Sequence, residues 1–188
     1  HSGLAYWIVK NELFDYFNPL NKDINTEVAI IGSGITGSLI SHELCKAGIK
    51  CCIIDKRTLT TGSSAASTAL LQYEIDVPLH KMSKIVGEEN AVLAYRACLE
   101  AITDLEKVYR EIKFNPDFNR VPSIFYASTK KDLSILEKEF EIRRKYDLPV
   151  SYLTEKEIKN KYGFKAPGAL LNNESAQMDA YLGAVGLL

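Results

Sequence analysis

The string Gly32-Ser33-Gly34-Ile35-Thr36-Gly37 constrains the fold more than any other feature of this sequence. It follows a short apolar run, TEVAII (26–31), whose lack of alternation is typical of a strand buried on both faces. An apolar-periodic stretch comes next and predicts a helix, with Gly48 in the left-handed position that often follows a helix end. The run KCCIID (50–55) predicts a second strand. Together these segments predict a βαβ unit within an α/β fold.

The glycines and the acidic residue of this unit have separate physical roles. Gly32 permits the tight turn out of the strand, Gly34 lets a pyrophosphate approach the backbone, and Gly37 allows close packing of helix on strand. The N–H groups at the helix N-terminus can donate to the phosphates. Asp55, which lies 23 residues after Gly32, can accept hydrogen bonds from ribose hydroxyls, and its charge disfavours the 2′-phosphate of NADP. The pattern predicts a Rossmann-like dinucleotide-binding unit, and a glycine turn that binds nothing is the alternative.

The segment after Asp55 bears on which dinucleotide is bound, because FAD and NAD share the ADP moiety that the fingerprint recognises. An NAD domain usually continues with a helix and a third parallel strand, whereas residues 57–69 hold four threonines, three serines and a glycine. Small side chains allow close approach to a large flat ligand, and hydroxyls can bind phosphate or ribitol oxygens. This composition favours FAD, with a surface linker as the alternative interpretation.

The chain resembles a known family over roughly residues 26–188. VAIIGSGITGSLISHELCKAGIKCCIIDKR, followed by TGSSAASTALLQYEID, is similar to the amino-terminal half of FAD-dependent oxidoreductases of the D-amino acid oxidase family. That family includes glycine and sarcosine oxidases, D-amino acid dehydrogenases and glycerol-3-phosphate dehydrogenases. The resemblance implies a Rossmann-like FAD-binding half joined to part of a mixed α+β substrate domain.

The resemblance also implies a set of FAD-binding residues. The turn would hold the pyrophosphate, Asp55 would bind the adenine-side ribose, and the following loop would pass along the flavin. The implied contacts are Gly32, Gly34, Ile35, Thr36, Gly37, Asp55, Lys56, Gly62, Ser63, Ser67, Thr68, Ala69 and Leu70.

Two positions depart from the family pattern. Ala69 stands where the glycerol-3-phosphate and sarcosine branches often place Arg or Lys, which tilts the expected substrate toward an amino-acid-like compound. Met178-Asp179-Ala180 stands where the family more often has Val-Asp-Pro.

The sequence suggests three regions: an aromatic N-terminal arm (1–25), a dinucleotide-binding half (26–80) and a partial second domain (81–188). The arm carries Leu4, Tyr6, Trp7, Phe14, Tyr16 and Phe17. We expect it to pack on the core, with a membrane surface or a partner protein as the alternative contact. Family members continue beyond this length, so the chain is expected to be an amino-terminal fragment with exposed apolar surface at its sheet edges and around its final helix.

Later elements follow from periodicity and capping signals. The pattern predicts helices over 88–112 and 132–146 and strands over 121–128 and 168–172. Thr154 and Glu157 have capping-box spacing, which predicts a helix start there. A further helix is expected to begin within DAYLGAVGLL (179–188).

The leading functional hypothesis is an FAD-dependent oxidoreductase that oxidises a small amine, amino acid or hydroxy compound by hydride transfer to flavin. The 188 residues alone are expected to show no turnover and to bind FAD weakly. An NAD-dependent dehydrogenase and a non-catalytic dinucleotide-binding module are the alternatives. The catalytic residues are unknown from the sequence, although Gln72, Tyr73 and Glu74 could line a substrate cavity or belong to a strand.

Composition excludes several other classes of function. A net charge of -1 argues against general electrostatic binding of nucleic acid. The sequence also has no apolar run of about 20 residues that would span a membrane. Cys45 and Cys98 stand alone, Cys51 and Cys52 would point to opposite faces of a strand, and no metal site is expected. We expect a cytoplasmic protein with a small-molecule substrate, in which exposed apolar edges allow a homo-oligomer or a peripheral membrane contact.

Overall fold

The structure is a computed structural model that describes residues 3–13 and 17–188. The α-helices, in chain order, are α1 (Tyr6–Asn11), α2 (Ile35–Lys46), α3 (Leu79–Val86), α4 (Glu88–Glu111), α5 (Leu133–Lys145), α6 (Glu155–Tyr162) and α7 (Ala180–Val185). Short 3-10 segments occupy Ser63–Ala66 and Lys130–Asp132.

The strands, in chain order, are β1 (Val28–Ile31), β2 (Cys51–Ile54), β3 (Leu70–Leu71), β4 (Asn119–Arg120), β5 (Ser123–Tyr126), β6 (Ser151–Thr154), β7 (Gly168–Asn172) and β8 (Ala176–Gln177). They form three sheets among the described residues, in the orders β1-β2, β3-β8-β4 and β5-β7-β6. This mixed architecture confirms the predicted α/β class.

The described chain divides into two compact units. Unit 1 comprises the described residues up to Ala69 together with Lys107–Phe118 and Met178–Leu188. Unit 2 comprises Leu70–Glu106 and Asn119–Gln177.

Unit 1 is built around the predicted βαβ arrangement. β1 and β2 pair in parallel, in a register that runs from Val28 opposite Cys51 to Ile31 opposite Ile54. Gly48 has a φ of 75°, as its predicted place after the helix requires. Ile31 is 81% exposed and Ile54 38% exposed, although strands of a parallel sheet are ordinarily covered on both faces. The expected apolar exposure is therefore present on this sheet.

The N-terminal arm packs on unit 1 through part of its length. Ile8 is buried in a cluster with Ala65 and Tyr181, and Trp7 Nε1 donates to the carbonyl of Ser67 at 2.8 Å. Leu4, Tyr6 and Phe17 are exposed. The predicted packing is confirmed for the middle of the arm, and the arm residues Phe14 and Tyr16 lie outside the described residues.

The final helix is buried in unit 1. Asp179 caps α7, because its Oδ1 accepts from the N–H groups of Tyr181 and Leu182. Its Oδ2 accepts from Lys10 Nζ at 3.1 Å and from Asn11 Nδ2 at 2.7 Å. The expectation of broad apolar exposure around this helix is wrong, because a buried aspartate holds the helix and the N-terminal arm together.

Unit 2 is organised on the central strand β7, which is buried along its whole length. Side chains alternate across a strand, so Leu170 packs with Ala127 and Leu136 of one cluster. Ala169 and Leu171 pack with Ile158 and other residues of a second cluster. The predicted strand over 168–172 is confirmed.

The ends of the unit 2 elements agree with the sequence signals in most places. Glu157 N–H donates to Thr154 Oγ1, and Glu157 Oε2 accepts from Thr154 N–H at 2.7 Å, so the predicted capping box is confirmed. Of the predicted strand over 121–128, residues 123–126 form β5, and 119–120, which precede the predicted range, form the separate strand β4. Helix α3 was not predicted from the sequence.

Candidate functional site

The glycine turn in unit 1 connects β1 to α2 and leaves space that larger residues would fill. Gly32 has a φ of 103°, which L-residues rarely adopt. A Cβ on Gly37 would lie 2.0 Å from the carbonyl oxygen of Gly32. A Cβ on Gly34 would lie 3.1 Å from Ser64 Oγ. The structure therefore requires glycine at position 32 for its backbone conformation and at position 37 for close packing, whereas at position 34 an added Cβ would meet only the end of the Ser64 side chain.

Asp55 lies at the end of β2 and is hydrogen bonded to the glycine turn. Its Oδ2 accepts from the backbone N–H and the hydroxyl of Ser33, both at 2.8 Å. Its Oδ1 accepts from the N–H of Arg57 at 3.0 Å. The Ser33 N–H holds the pKa of Asp55 below its ordinary value; partial burial opposes this shift, whereas the Ser33 hydroxyl and Arg57 reinforce it. Asp55 is therefore an anionic acceptor, and because a carboxylate has about four lone-pair sites it can accept a further hydrogen bond.

The hydroxyl-rich loop folds back onto the start of α2. The buried hydroxyl of Ser64 accepts from the N–H of Ile35 at 2.9 Å. The hydroxyl of Ser33 accepts from the N–H of Thr60 at 3.1 Å. The loop is therefore part of the same site as the glycine turn and is not a detached surface linker.

The structure brings together most of the residues that the sequence analysis selected. All of them except Leu70 lie in unit 1, and Leu70 is the first residue of unit 2. Gly37 and Ala69 are buried, whereas Thr36, Lys56, Ser63, Ser67 and Thr68 are exposed. The exposed hydroxyls and the Lys56 ammonium therefore face solvent, whereas Gly37 and Ala69 contribute buried backbone.

Ala69 has an unusual backbone conformation for a residue with a side chain. Its φ is 54°, and its carbonyl oxygen accepts from the N–H of Met178. Its N–H donates to the hydroxyl of Ser67 at 3.1 Å. The backbone therefore turns at Ala69, where the loop ends. Its carbonyl also holds Met178, the first residue of the segment 178–180 that departs from the family pattern.

Three serines of the site were missed by the sequence reasoning. Ser33, Ser38 and Ser64 are buried, and each is hydrogen bonded within the turn or between the turn and the loop. Ser33 could have been found from the sequence, because it lies between Gly32 and Gly34 and can reach Asp55 at the end of the next strand. Ser64 gives no such signal, since its contact depends on how the loop folds back.

Unit 2 contains a cavity of about 230 Å³. Its polar lining residues are Gln72, Glu74, Asp76, Ser123 and Arg143. Gln72 and Glu74 therefore line a cavity, which agrees with one of the two interpretations that the sequence left open. Tyr73 does not line it, because that side chain is buried and donates to the carbonyl of Pro149 at 2.7 Å.

A buried group of charges lies next to this cavity. Arg143 Nε is 2.8 Å from Glu139 Oε1, and Arg143 Nη1 is 3.1 Å from Glu74 Oε1. Glu139 also accepts from the N–H groups of Leu79 and His80. Burial acts to raise the pKa of Glu139, but Arg143 and the His80 donors outweigh it and leave the pKa below its ordinary value. Arg143 is thus committed to internal partners, which makes this group a structural element of unit 2.

Within residues 3–13 and 17–188, no helix is both long and apolar enough to cross a membrane. Over the same ranges, no three His, Cys, Asp or Glu side chains are grouped so that they could hold a metal ion.

The family model for FAD dependent oxidoreductases matches residues 27–188, which is most of the chain. The chain belongs to this family. The assignment confirms the recognised resemblance, the oxidoreductase class and FAD as the cofactor. It favours FAD over the NAD alternative that the fingerprint alone left open.

A Bacillus subtilis (strain 168) protein is related in sequence to this chain. It bears the name Rieske 2Fe-2S iron-sulfur protein YhfW and is 26% identical over 137 residues. The match covers 73% of this chain and 27% of that protein.

Solved structures share the fold of this family member at low sequence identity. L-proline dehydrogenase from P. horikoshii has a TM-score of 0.67 and 20% identity, over 86% of this chain and 40% of that one. Glycine oxidase from Geobacillus kaustophilus has a TM-score of 0.67 and 21% identity, over 86% and 43%. L-amino acid deaminase from Proteus myxofaciens has a TM-score of 0.74 and 14% identity, over 94% and 38%. The chain thus spans about two fifths of the length of these proteins.

The residues of unit 1 fit the ADP part of the family cofactor. Gly34 presents no side chain, and the first turn of α2 supplies N–H donors, of which that of Ile35 donates to Ser64 Oγ. Asp55 keeps an acceptor site for a ribose hydroxyl. The donor set suits phosphate and the acceptor suits ribose, so the local chemistry agrees with the family assignment.

Proposed function

We propose that the protein to which this chain belongs oxidises a small amine, an amino acid or a hydroxy compound by hydride transfer to flavin. The observation that carries the proposal is the arrangement in unit 1, where the Gly32–Gly37 turn, the start of α2 and Asp55 are held together by hydrogen bonds. When bound, FAD supplies the redox chemistry, and the protein supplies binding and orientation.

We assign the parts of this site to the parts of the cofactor as follows. The N–H groups at the start of α2 would hold the pyrophosphate, among them the N–H of Ile35, which donates to Ser64 Oγ in this structure. Asp55 accepts from the adenine-side ribose while Ser33 holds the carboxylate in position. The loop residues Gly62, Ser63 and 67–70 follow the cofactor toward its flavin end.

Amino acids are the substrate class that we favour. The names of the glycine oxidase, L-proline dehydrogenase and L-amino acid deaminase structures refer to amino acids. One structural relative, an L-alpha-glycerophosphate oxidase from Mycoplasma pneumoniae, is named for a phosphorylated polyol instead. A positive charge near the flavin would favour the binding of a polyol phosphate. Ala69 carries no charge at the position where related branches often have Arg or Lys. This difference supports an amino-acid-like substrate.

We propose that residues 26–80 carry the dinucleotide-binding half and residues 81–188 part of a second domain, with residues 107–118 and 178–188 returning to the unit that holds the glycine turn. The remaining parts of both are supplied by polypeptide outside this chain. The short span relative to the solved structures supports this division. The exposed Ile31 and Ile54 support it as well, since a parallel sheet with a bare apolar face is suited to further covering. A homo-oligomer through these edges, contact of the aromatic arm with a membrane and a cytoplasmic location stay predictions.

The electron acceptor of the reduced flavin is a separate part of the proposal. The name of the Bacillus subtilis relative refers to a Rieske 2Fe-2S protein, which supports an iron-sulfur centre as one acceptor, with oxygen as the other. Electron paramagnetic resonance of the longer protein after substrate reduction tests this. A reduced cluster signal would support the iron-sulfur acceptor, and rapid peroxide formation without such a signal would support oxygen.

The substrate proposal is tested by turnover in the longer protein and in the 188-residue chain. We expect glycine, proline or another amino acid to bleach the flavin absorbance of the longer protein under anaerobic conditions. We expect no amine- or polyol-dependent dye reduction by the 188 residues alone. Flavin bleaching by glycerol phosphate but by no amino acid would overturn the substrate class.

A further inference from the structure

Two cysteine thiols meet at the end of the βαβ helix, away from the glycine turn. Cys45 lies in the last turn of α2 and Cys51 is the first residue of β2, and their Sγ atoms are 3.7 Å apart. The prediction that Cys45 stands alone is therefore wrong. The contact arises because the chain reverses at Gly48 and returns beside the helix that it has just left.

The backbone around this pair is fixed by hydrogen bonds. The N–H of Gly48 donates to the carbonyl of Cys45 at 3.0 Å, and the N–H of Ile49 donates to that of Leu44 at 2.9 Å. Cys51 pairs with Val28 in the parallel sheet. The backbone is therefore hydrogen bonded on both sides of the pair. The 3.7 Å between the Sγ atoms exceeds the S–S bond of about 2.05 Å, so a disulfide requires the two side chains to move closer together.

The two sulfur atoms differ in their surroundings. Cys45 is exposed, whereas Cys51 is half-buried and its Sγ lies 4.0 Å from the carbonyl oxygen of Ser41. Burial raises the pKa of Cys51, and the neighbouring Cys45 thiol adds to the shift. Solvent access and thiolate content decide which thiol meets an oxidant first. Cys45 is thus the thiol that an oxidant reaches, and Cys51 is the thiol that can resolve the product.

We propose that Cys45 and Cys51 form an oxidative modification site that hydrogen peroxide converts into an intramolecular disulfide. In the first step the Cys45 thiolate attacks a peroxide oxygen, the O–O bond breaks, and a sulfenic acid and hydroxide form. In the second step the Cys51 thiolate attacks the sulfenic sulfur, the S–O bond breaks, and a second hydroxide leaves. Two thiols lose two electrons, peroxide gains them, and with the two thiol protons the products are one disulfide and two water molecules.

The sequence around the pair gives the experiment a direct readout. Lys46 and Lys50 lie between the two cysteines, so trypsin separates a peptide ending in HELCK from the peptide CCIIDK. The full 188-residue chain is treated with one equivalent of hydrogen peroxide, alkylated with N-ethylmaleimide, digested without reductant and analysed by mass spectrometry. We expect these two peptides to be joined, with a loss of about two mass units, and to separate after dithiothreitol.

Cys52 is the matched control, because it adjoins Cys51 and its Sγ approaches a different acceptor, the carbonyl of Ile53. We expect C52S to retain the cross-link and C45S and C51S to lose it. In C51S we expect the Cys45 sulfenic acid to persist and to be labelled by dimedone. Circular dichroism of each reduced variant establishes that it is folded.

The site has a second readout that does not depend on oxidation. A trivalent arsenical bridges two neighbouring thiols, so one equivalent of phenylarsine oxide should protect Cys45 and Cys51 from N-ethylmaleimide in the reduced protein and leave Cys52 and Cys98 reactive. A cross-link between Cys45 and Cys52, or over-oxidation of Cys45 without a cross-link in the folded wild-type protein, would overturn the proposal.

Discussion

Ser33 donates two hydrogen bonds to one oxygen of Asp55, from its backbone N–H and from its hydroxyl, and each is 2.8 Å long. The bonds connect the glycine turn after β1 to the end of β2. The carboxylate is therefore positioned by the protein itself before a ribose approaches it, which reduces the cost of ordering the site on binding.

Replacement of Asp55 by Asn should weaken FAD binding. The amide oxygen of asparagine can still accept both hydrogen bonds from Ser33, but it is a weaker acceptor than a carboxylate oxygen. The amide nitrogen takes the place of the second carboxylate oxygen, so an acceptor for Arg57 N–H and for the ribose is lost. Because a hydrogen bond to a charged group contributes about 1.5 to 3 kcal/mol, we expect a roughly ten- to hundredfold loss of affinity. Isothermal titration with FAD measures it, and the exposed Asp23→Asn is the control that should leave affinity unchanged. Equal affinity of Asp55→Asn and wild type would contradict the ribose assignment.

The same residue should make stability depend on pH. The pKa of Asp55 in the folded protein lies below its ordinary value. The stabilising contribution of Asp55 is therefore fully present above the pKa of the unfolded chain, which is about 3.9. The contribution is lost as the pH falls through the folded pKa. Urea unfolding of wild type and Asp55→Asn as a function of pH should show a weaker acid dependence in the variant. Parallel acid limbs for the two proteins would show that Asp55 gains no such stabilisation.

Gly34 and Gly37 should respond differently to alanine. A Cβ at position 37 collides with the Gly32 carbonyl oxygen at 2.0 Å, whereas one at position 34 meets the end of the Ser64 side chain at 3.1 Å. We expect Gly37→Ala to lower the free energy of unfolding by about 1 to 3 kcal/mol, as overpacking against a rigid backbone does. We expect Gly34→Ala to fold with nearly normal stability and to lose FAD affinity.

Urea unfolding and FAD titration of both variants separate these effects. A Gly37→Ala protein as stable as wild type would mean that the turn relaxes without cost. A Gly34→Ala protein with unchanged FAD affinity would mean that the pyrophosphate does not approach this part of the backbone.

We expect Glu139 to be essential for the stability of unit 2 and to take no part in redox chemistry. It is fully buried and joins Arg143 to the start of α3. Because removal of one partner leaves a buried charge poorly compensated, we expect Glu139→Ala to lower the free energy of unfolding by about 3 kcal/mol. Glu141→Ala, on the same helix but exposed, should change it by less than about 0.5 kcal/mol.

Glu139→Gln tests the charge separately, since it preserves the shape of the side chain. We expect it to fold, to be less stable than wild type and to be less sensitive to acid, because the lowered pKa of Glu139 means that its contribution disappears as the pH falls through that value. Thermal unfolding at several pH values provides the measurement. A fully stable Glu139→Ala protein would show that Glu74 alone compensates Arg143.

The sequence predicted those features that depend on local patterns. The β1-α2-β2 order, the left-handed Gly48, the Thr154 capping box and the strand β7 all follow from periodicity or from turn and cap chemistry. The missed helix α3 also has a local signal, because Pro78 precedes it and Gly87, with a φ of 85°, ends it.

Other features could not be predicted because they depend on tertiary contacts. β3 and β8 have two residues each and pair across a long stretch of chain, so neither has a period that sequence could reveal. Likewise, Ser64 reaches Ile35 only after the loop folds back. The contact between Cys45 and Cys51 depends on the side-chain directions on either side of Gly48, which sequence spacing does not determine.

Titration of FAD into the 188-residue chain, followed by flavin fluorescence, tests the central claim most directly when ADP and NADH are added as competitors. We predict saturable but weak binding of FAD, displacement by excess ADP, and a clear loss of affinity in the folded Gly34→Ala protein. Binding of NADH with no response to FAD, or FAD binding that Gly34→Ala and Asp55→Asn leave unchanged, would contradict an FAD site at the glycine turn.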